Sequence, residues 1–425
     1  MFVVVAGRGG SGGGLAGVPQ QPTPPPTPPG APSIADVASF DPFAYRPQDD
    51  AELMRRGRDG LSHVLFAKSP GGAQATAARV ARWKPLIDRA AAKHGVNPRT
   101  LQALVFVESA GRPDVAAADD PASAVGLAQI LPGTASGLLA MHVDLARSRQ
   151  IHARLASEQR QAVTARRPKR RALARKRIAA LLAQRPKVDE RYDPAKSLDG
   201  AARYLLFAQN KLGRPDLAAA SYHMGIGNVQ DVIAAYVRPR PLTGSTPRTV
   251  RKYGISYARL YYDSSLIRNP MAYRKLAALG DDSRHYLFKL DAADVIMRLY
   301  AAKSKLLGRI AELQTAKASG ENLLRPPDRF RPYKDSGDLR KAYAKGELIA
   351  LPDDPRRLGF RVDPGMGSLA RKVKERRALF RGLRPEAMAT LLYITKEVRR
   401  IAGGSHLRVT STVRDQRYQD ALVGV

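Results

Sequence analysis

The central part of the chain repeats the spacing of an amphipathic helix, and this periodicity limits the possible folds more than any other feature. Apolar side chains at positions 83–91 recur at i, i+3, i+4 and i+7, and Gly95 follows as a typical helix end. Asn97 then fits the N-cap of a second helix, predicted over about 98–109. No sustained alternation typical of strands interrupts this pattern. The sequence predicts a mainly α domain over 81–310.

The segments before this domain have a different composition. Residues 1–33 are rich in glycine and proline, which predicts a disordered tether. Residues 34–80 are predicted to be a helical lead-in, with one helix over about 50–66. The apolar run 1–6 is shorter than the apolar region of a signal peptide, so it does not by itself establish export.

A second boundary is predicted at Arg325-Pro326-Pro327. Beyond it, a helix over about 385–401 is followed by a Gly403-Gly404 turn and a strand-like segment from Leu407. The pattern predicts an α+β module over 326–425 that begins and does not finish.

The absence of cysteine excludes several classes of function, whereas the net charge indicates only a general affinity for polyanions. The 71 Lys and Arg residues outnumber 38 Asp and Glu residues, giving a net charge of +33. Such an excess attracts polyanions of any kind, from nucleic acid to acidic polymers. The chain has no cysteine, so a disulfide framework, a thiolate nucleophile and a cysteine zinc site are all excluded.

Much of the positive charge lies in one segment, residues 145–187, inside the helical domain. A thin apolar stripe predicts a helical insertion that is broken at Pro168. Three interpretations stay open: a solvated helical face, an electrostatic tether to an anionic polymer, or a nucleic-acid patch.

Three short segments carry the candidate chemistry. The first, Val107-Glu108-Ser109, places a carboxyl at the end of an apolar helix, where desolvation raises its pKa and suits it to be a general acid. The second is Val125-Gly126-Leu127-Ala128-Gln129-Ile130. The third is Ala220-Ser221-Tyr222-His223-Met224-Gly225-Ile226-Gly227, after a helix that contains Gly200-Ala201-Ala202-Arg203-Tyr204-Leu205.

In this order, the three segments resemble the soluble lytic transglycosylase (SLT) family, whose fold is lysozyme-like. The resemblance covers about residues 81–235 and is interrupted by the basic insertion. The chain departs from the family pattern where Ala128 replaces a usual methionine and where His223-Met224 replaces Asn-Ala.

The resemblance implies cleavage of peptidoglycan between N-acetylmuramic acid and N-acetylglucosamine, with formation of 1,6-anhydro ends. Glu108 would be the single acid and base, and Tyr222 would reach toward it and stabilise the transition state. The implied substrate-binding residues are Ser109, Gly126, Leu127, Gln129 and His223. No cofactor or metal is implied. The expected location is the cell wall or cell surface after export, where the insertion would meet anionic wall polymers.

Three other functions remain open. A muramidase would use the same Glu108 with a water nucleophile and a second carboxylate, for which Asp119 and Asp120 are the nearby candidates. A binding protein would keep glycan affinity without turnover. A basic nucleic-acid binder would match the motifs by accident.

Tyrosines at 253, 257 and 261 recur at helical spacing, which favours half-buried core over a wall that stacks on sugar rings.

The last strand-like segment, with Ser411 and Arg414, resembles the opening of zinc D-Ala-D-Ala carboxypeptidase-like domains. The metal ligands of that family would come later, in a Ser-x-His-x-x-Gly-x-Ala-x-Asp segment, and no such segment follows before Val425. No zinc site of that kind is expected from this sequence.

Overall fold

A computed structural model describes residues 45–238, 245–265, 268–316, 332–352 and 354–423. The chain forms two compact units, one over Tyr45–Leu324 and one that contains Arg325–Val425. The predicted tether, residues 1–33, lies outside the described residues. No helix among the described residues combines the length and the apolar character that crossing a bilayer requires.

The described part of the first unit is built from helices. In chain order they are α1 (Asp50–Lys68), α2 (Ala73–Ala81), α3 (Lys84–His94), α4 (Pro98–Ser109), α5 (Pro132–Gly137), α6 (Leu145–Thr164), α7 (Pro168–Val188), α8 (Pro194–Leu212), α9 (Pro215–Met224), α10 (Ile226–Val237), α11 (Thr246–Tyr253), α12 (Tyr257–Tyr262), α13 (Pro270–Ala278), α14 (Gly280–Arg284), α15 (Tyr286–Ala302) and α16 (Ser304–Thr315). Strand pairing in the described residues of this unit is limited to isolated bridges. The predicted mainly α fold is confirmed.

Local sequence signals set the bounds of α3 and α4. Gly95 takes a left-handed conformation with φ 65° and ends α3. The side chain of Asn97 accepts a hydrogen bond from the backbone N–H of Arg99, which caps α4 as predicted. Ala110 takes a left-handed conformation with φ 53° and ends α4. Glu108 is therefore the second-last residue of this helix.

Helix α4 lies in the middle of the core. Leu101, Leu104 and Val105 have no exposed surface, and α4 packs against α3 and α15. Burying such side chains contributes about 1.5–3 kcal/mol each. This packing fixes the position of the carboxyl at the end of α4.

The predicted basic insertion is an antiparallel helical hairpin made of α6 and α7. The helices are separated at residues 165–167, and Pro168 is the first residue of α7, where a proline costs no hydrogen bond. Ile151, Leu155 and Val188 form a small core of their own between the two helices. The predicted break at Pro168 is confirmed.

The tyrosine stripe does not lie on one helix. Gly254 takes a left-handed φ of 58° and separates α11 from α12. Tyr257 is buried in the main core, and Tyr253 and Tyr261 pack against that core, in agreement with the core interpretation.

The second unit is a small α+β structure. It contains α17 (Ser336–Ala344), β1 (Ile349–Ala350), β2 (Phe360–Val362), β3 (Gly382–Leu383), α18 (Pro385–Ile401), β4 (Leu407–Val409) and α19 (Gln416–Val423). β2 pairs in parallel with β4, Phe360 opposite Leu407, while β1 pairs antiparallel with β3. The α+β character is as predicted, and the resemblance to zinc carboxypeptidases stays a prediction.

Candidate active site

Glu108 is a partly exposed acid whose carboxyl is largely surrounded by protein. It lies in the last turn of α4, next to the buried Val105 and Phe106. Burial raises the pKa of Glu108 to about 7, although a hydrogen bond from Tyr286 and the charge of Lys289 act in the opposite direction. A carboxyl of this pKa is protonated in an appreciable fraction of molecules at neutral pH, and the residue that carries it is partly exposed. Both properties suit a general acid.

The direct partner of Glu108 is Tyr286, the first residue of α15. The Tyr286 hydroxyl donates a hydrogen bond to Oε1 of Glu108, and its side chain is almost fully buried, with the residue 1% exposed. Burial and the nearby Glu108 charge raise the pKa of Tyr286 well above its usual value, so the phenol keeps its proton and remains a donor. Sequence reasoning did not find this residue, because no motif or spacing links position 286 to position 108.

Tyr222 lies beside Tyr286 and bonds elsewhere. Its hydroxyl donates to the backbone carbonyl of Ala128 at 2.8 Å. Its ring is stacked with that of Tyr286, with centroids 6.5 Å apart and planes 10° apart, and it meets the ring of Tyr204 edge-on at 5.1 Å. The structure therefore places Tyr222 between Tyr286, which binds Glu108, and the segment that contains Ala128.

That segment, residues 125–130, is a tight turn closed by a bridge between Val125 and Ile130. Gly126 has φ 80°, and a Cβ there would lie 1.9 Å from the Arg191 carbonyl oxygen, so only glycine fits. Leu127 is completely buried, which makes it part of the packing beneath the turn.

Gln129 is a partly exposed residue of this turn, with a left-handed φ of 47°. Its amide nitrogen donates to the carbonyls of Gly126 at 2.9 Å and Val115 at 3.2 Å. These bonds fix the side chain and leave its amide oxygen as the atom that can accept a hydrogen bond from a ligand.

A buried ion pair supports the turn from below. Arg191 and Asp189 have no exposed surface and are joined by two bonds of 2.8 and 2.9 Å. The remaining guanidinium N–H groups of Arg191 donate hydrogen bonds to the carbonyls of Pro121, Ser123 and Ile130. Nothing in the sequence distinguishes Arg191 from the many surface arginines of this basic chain, so sequence reasoning did not single it out.

The other two implied binding residues differ in accessibility. His223 is exposed, its Nδ1 lies 3.0 Å from Oγ of Ser283, and its ring centre lies 5.2 Å from that of Tyr286. Desolvation lowers the pKa of His223. Ser109 is only 1% exposed, and its hydroxyl donates to the Val105 carbonyl. In this conformation the Ser109 side chain is part of the helix packing.

The candidate second carboxylates are both paired with the basic hairpin. Arg149 bonds both carboxylate oxygens of Asp120 and lowers the pKa of Asp120 to about 2. Asp119 is almost fully exposed and lies 3.1 Å from Nε2 of His152. Among the described residues, no group of three His, Asp or Glu side chains is arranged to hold a metal ion.

A cavity of about 420 Å³ lies between α3 and α8, lined by Leu86, Lys93, Lys196 and Asp199 among others. None of the candidate site residues lines it. This cavity is therefore separate from the candidate active site.

The helical architecture and one desolvated carboxyl at a helix end are those of a mainly α, lysozyme-like domain. Residues 85–152 and 172–239 match the family model of the transglycosylase SLT domain. The chain therefore contains a transglycosylase SLT domain within residues 85–239, and the resemblance inferred from the three motifs is confirmed. The gap between the matched ranges falls on the outer part of the α6–α7 hairpin. No curated protein matches the chain.

An SLT domain implies a peptidoglycan-related function of the lytic transglycosylase type, with peptidoglycan as the substrate.

Proposed function

We propose that the protein is a peptidoglycan lytic transglycosylase in which Glu108 is the single general acid and base. The observation that carries this proposal is the environment of Glu108. Its carboxyl has a pKa raised to about 7 by burial and accepts a hydrogen bond from the Tyr286 hydroxyl, while the residue as a whole is partly exposed. The other candidate carboxylates have partners in the basic hairpin: Asp120 is ion-paired with Arg149, and Asp119 lies within hydrogen-bond distance of His152.

A single carboxyl is sufficient when the substrate supplies its own nucleophile. In the first step, protonated Glu108 donates its proton to the glycosidic oxygen as the bond to the anomeric carbon breaks. The N-acetyl carbonyl oxygen of N-acetylmuramic acid attacks that carbon. In the second step, the C6 hydroxyl attacks the anomeric carbon and displaces the carbonyl oxygen, and Glu108 takes the hydroxyl proton. The products are a 1,6-anhydro end and a free N-acetylglucosamine end, and Glu108 is protonated again.

The surrounding residues receive distinct proposed roles. Tyr286 holds Oε1 of Glu108, which leaves Oε2 for the glycosidic oxygen. Tyr222 and the turn that begins with Gly126 hold Gln129 in place, and its amide oxygen accepts a hydrogen bond from the substrate. His223, which is exposed, is a second contact for the glycan.

Ser109, Gly126 and Leu127 form the floor beneath these contacts, since all three are buried. Action on peptidoglycan places the protein outside the cytoplasmic membrane, and we include export to the cell wall in the proposal.

The test is digestion of purified peptidoglycan by the full chain, followed by mass spectrometry of the fragments. A lytic transglycosylase yields ends that are lighter by one water than reducing ends. Glu108→Gln should abolish release, and Glu312→Gln, which changes an exposed glutamate of α16, should leave it intact. Reducing ends would assign the protein as a muramidase. Equal failure of wild type and Glu108→Gln, with retained binding to peptidoglycan, would assign it as a binding protein.

A further inference from the structure

The base of the α6–α7 hairpin is attached firmly to the domain that carries the site. Arg185 lies over the ring of Tyr192 at 3.4 Å and donates to the Asp114 carbonyl. Ser148 donates to the buried Asp189 at 2.8 Å. The base of the hairpin therefore contacts the same chain segments that hold the turn of residues 125–130.

The acidic residues around the hairpin already have partners within it. Asp119 and Asp120 pair with His152 and Arg149, and Glu158 pairs with Arg177. Residues 153–177 contain ten cations and one acid, a net charge of +9. Among the described residues, none of the following nine exposed cations has an ion-pair partner: Arg154, Arg160, Arg166, Arg167, Lys169, Arg170, Arg171, Arg175 and Lys176. The outer hairpin is a dense and uncompensated positive surface.

The distribution of this charge selects among possible partners. Positions 169, 170, 171, 175, 176 and 177 point in different directions around α7, since successive residues on a helix are rotated by about 100°. A helix charged on all sides does not lie in a membrane interface, which requires a continuous apolar face. The exposed large apolar residues of the hairpin, Val163, Leu173 and Leu182, do not supply one, because they are at least nine positions apart along the chain.

The composition of the hairpin favours a phosphate polymer and argues against single-stranded nucleic acid, which proteins bind by stacking its bases on aromatic side chains. Residues 145–188 contain no Phe, Tyr or Trp, so the hairpin offers no platform for stacking on nucleobases. Eight of the ten cations in 153–177 are arginines, whose planar fork matches phosphate oxygens. Six cations within 169–177 lie along about 12 Å of helix, a density suited to a closely spaced polyanion.

We propose that the outer α6–α7 hairpin binds a phosphodiester polymer of the cell envelope and so holds the domain where such polymers are attached. The binding is electrostatic and requires no residue of the candidate active site.

The experiment measures binding of the full chain to poly(glycerol phosphate) and to duplex DNA at equal phosphate concentration. All proteins carry Glu108→Gln, so turnover does not contribute and the result is independent of the proposed catalytic function. The test variant changes Arg166, Arg167, Lys169, Arg170 and Arg171 to Gln. The matched control removes the same charge from exposed positions of the second unit, by changing Arg356, Arg371, Lys372, Lys374 and Arg376 to Gln.

The expected result is that poly(glycerol phosphate) binds the parent and weakens at least about tenfold between 50 and 200 mM salt. The hairpin variant, with an unchanged circular dichroism spectrum, should bind at least about tenfold more weakly, and the control within about twofold. Duplex DNA should bind no more tightly per phosphate than the polymer. Unchanged binding by the hairpin variant, equal loss in the control, or tighter binding of DNA would each overturn the proposal.

Discussion

The hydroxyl of Tyr286 donates a hydrogen bond to Oε1 of Glu108, although the two residues are 178 positions apart in the chain. Glu108 lies in the last turn of α4 and Tyr286 begins α15, and the packing of these two helices in the core brings the groups together. Tyr286 lies beyond the residues that match the SLT family model, so this contact is a property of the whole first unit.

Tyr286→Phe should lower kcat about tenfold and change KM less than twofold, because the phenol orients the acid and does not contact the substrate. In the wild-type protein the Tyr286 hydrogen bond lowers the pKa of Glu108, so its loss in the variant raises that pKa. The alkaline limb of the pH–rate profile should therefore move to higher pH in the variant. Initial rates of peptidoglycan solubilisation across pH 5–9 measure both effects.

The matched control for this change is Tyr257→Phe. Tyr257 is also buried, but its hydroxyl donates to the Arg284 carbonyl rather than to an acid. It should lose stability without a shift of the pH–rate profile. A profile for Tyr286→Phe that coincides with wild type would refute the orienting role.

Wild-type activity should itself decline as pH rises through about 7. The general acid must be protonated, and burial raises the pKa of Glu108 to about 7. Above that pH, kcat/KM should fall about tenfold per pH unit, the slope for loss of one proton. Rates that remain constant from pH 6 to pH 9 would exclude Glu108 as the acid in this ionisation state.

Glu108→Gln should stabilise the fold at alkaline pH. In the unfolded chain Glu108 ionises near 4.5, and in the native protein near 7, so wild-type stability falls as pH rises through this window. The glutamine variant has no such loss. Its Tm advantage over wild type should be larger at pH 8 than at pH 4 by about 4–8 °C, corresponding to about 2 kcal/mol. Equal Tm differences at the two pH values would contradict the burial of this carboxyl.

Gly126→Ala should destabilise the domain by about 3 kcal/mol and reduce activity. An alanine Cβ would lie 1.9 Å from the Arg191 carbonyl oxygen, and φ 80° is strained for any residue with a side chain. Urea unfolding checks the change. The matched control is Gly133→Ala in α5, where nothing lies within 4 Å of the new methyl group and stability should be equal or higher. Similar behaviour of the two variants would show that the turn does not require its observed conformation.

Arg191→Met should cost about 3–5 kcal/mol, because it leaves the carboxylate of Asp189 buried without its partner. Lys196→Met breaks the exposed pair with Glu190 and should cost about 1 kcal/mol or less. Both values come from denaturant unfolding of the full chain. A small effect at Arg191 would mean that the 121–130 segment is held by other contacts.

Much of the helical framework could be predicted locally. The N-cap at Asn97, the left-handed Gly95, the break before Pro168 and the helix at Pro385–Ile401 all follow from residue preferences that act within a few positions. Glu108 was also identifiable, because the apolar residues before it predict desolvation of its carboxyl.

The partners within the site could not be predicted in this way. From the sequence, Tyr222 was the residue expected to reach Glu108, but its hydroxyl bonds to Ala128, and Tyr286 bonds to the acid. The two candidate carboxylates Asp119 and Asp120 acquire their partners only through the folded hairpin.

The sequence by itself determined the helices, their ends, the excess of positive charge and the position of the acid, since each of these depends on neighbours along the chain. The tertiary structure decided which hydroxyl holds Glu108, which ion pair supports the Gly126 turn and which cations remain without partners. Those contacts join distant parts of the chain, and they arise only when the core is packed and each buried polar group must find a partner.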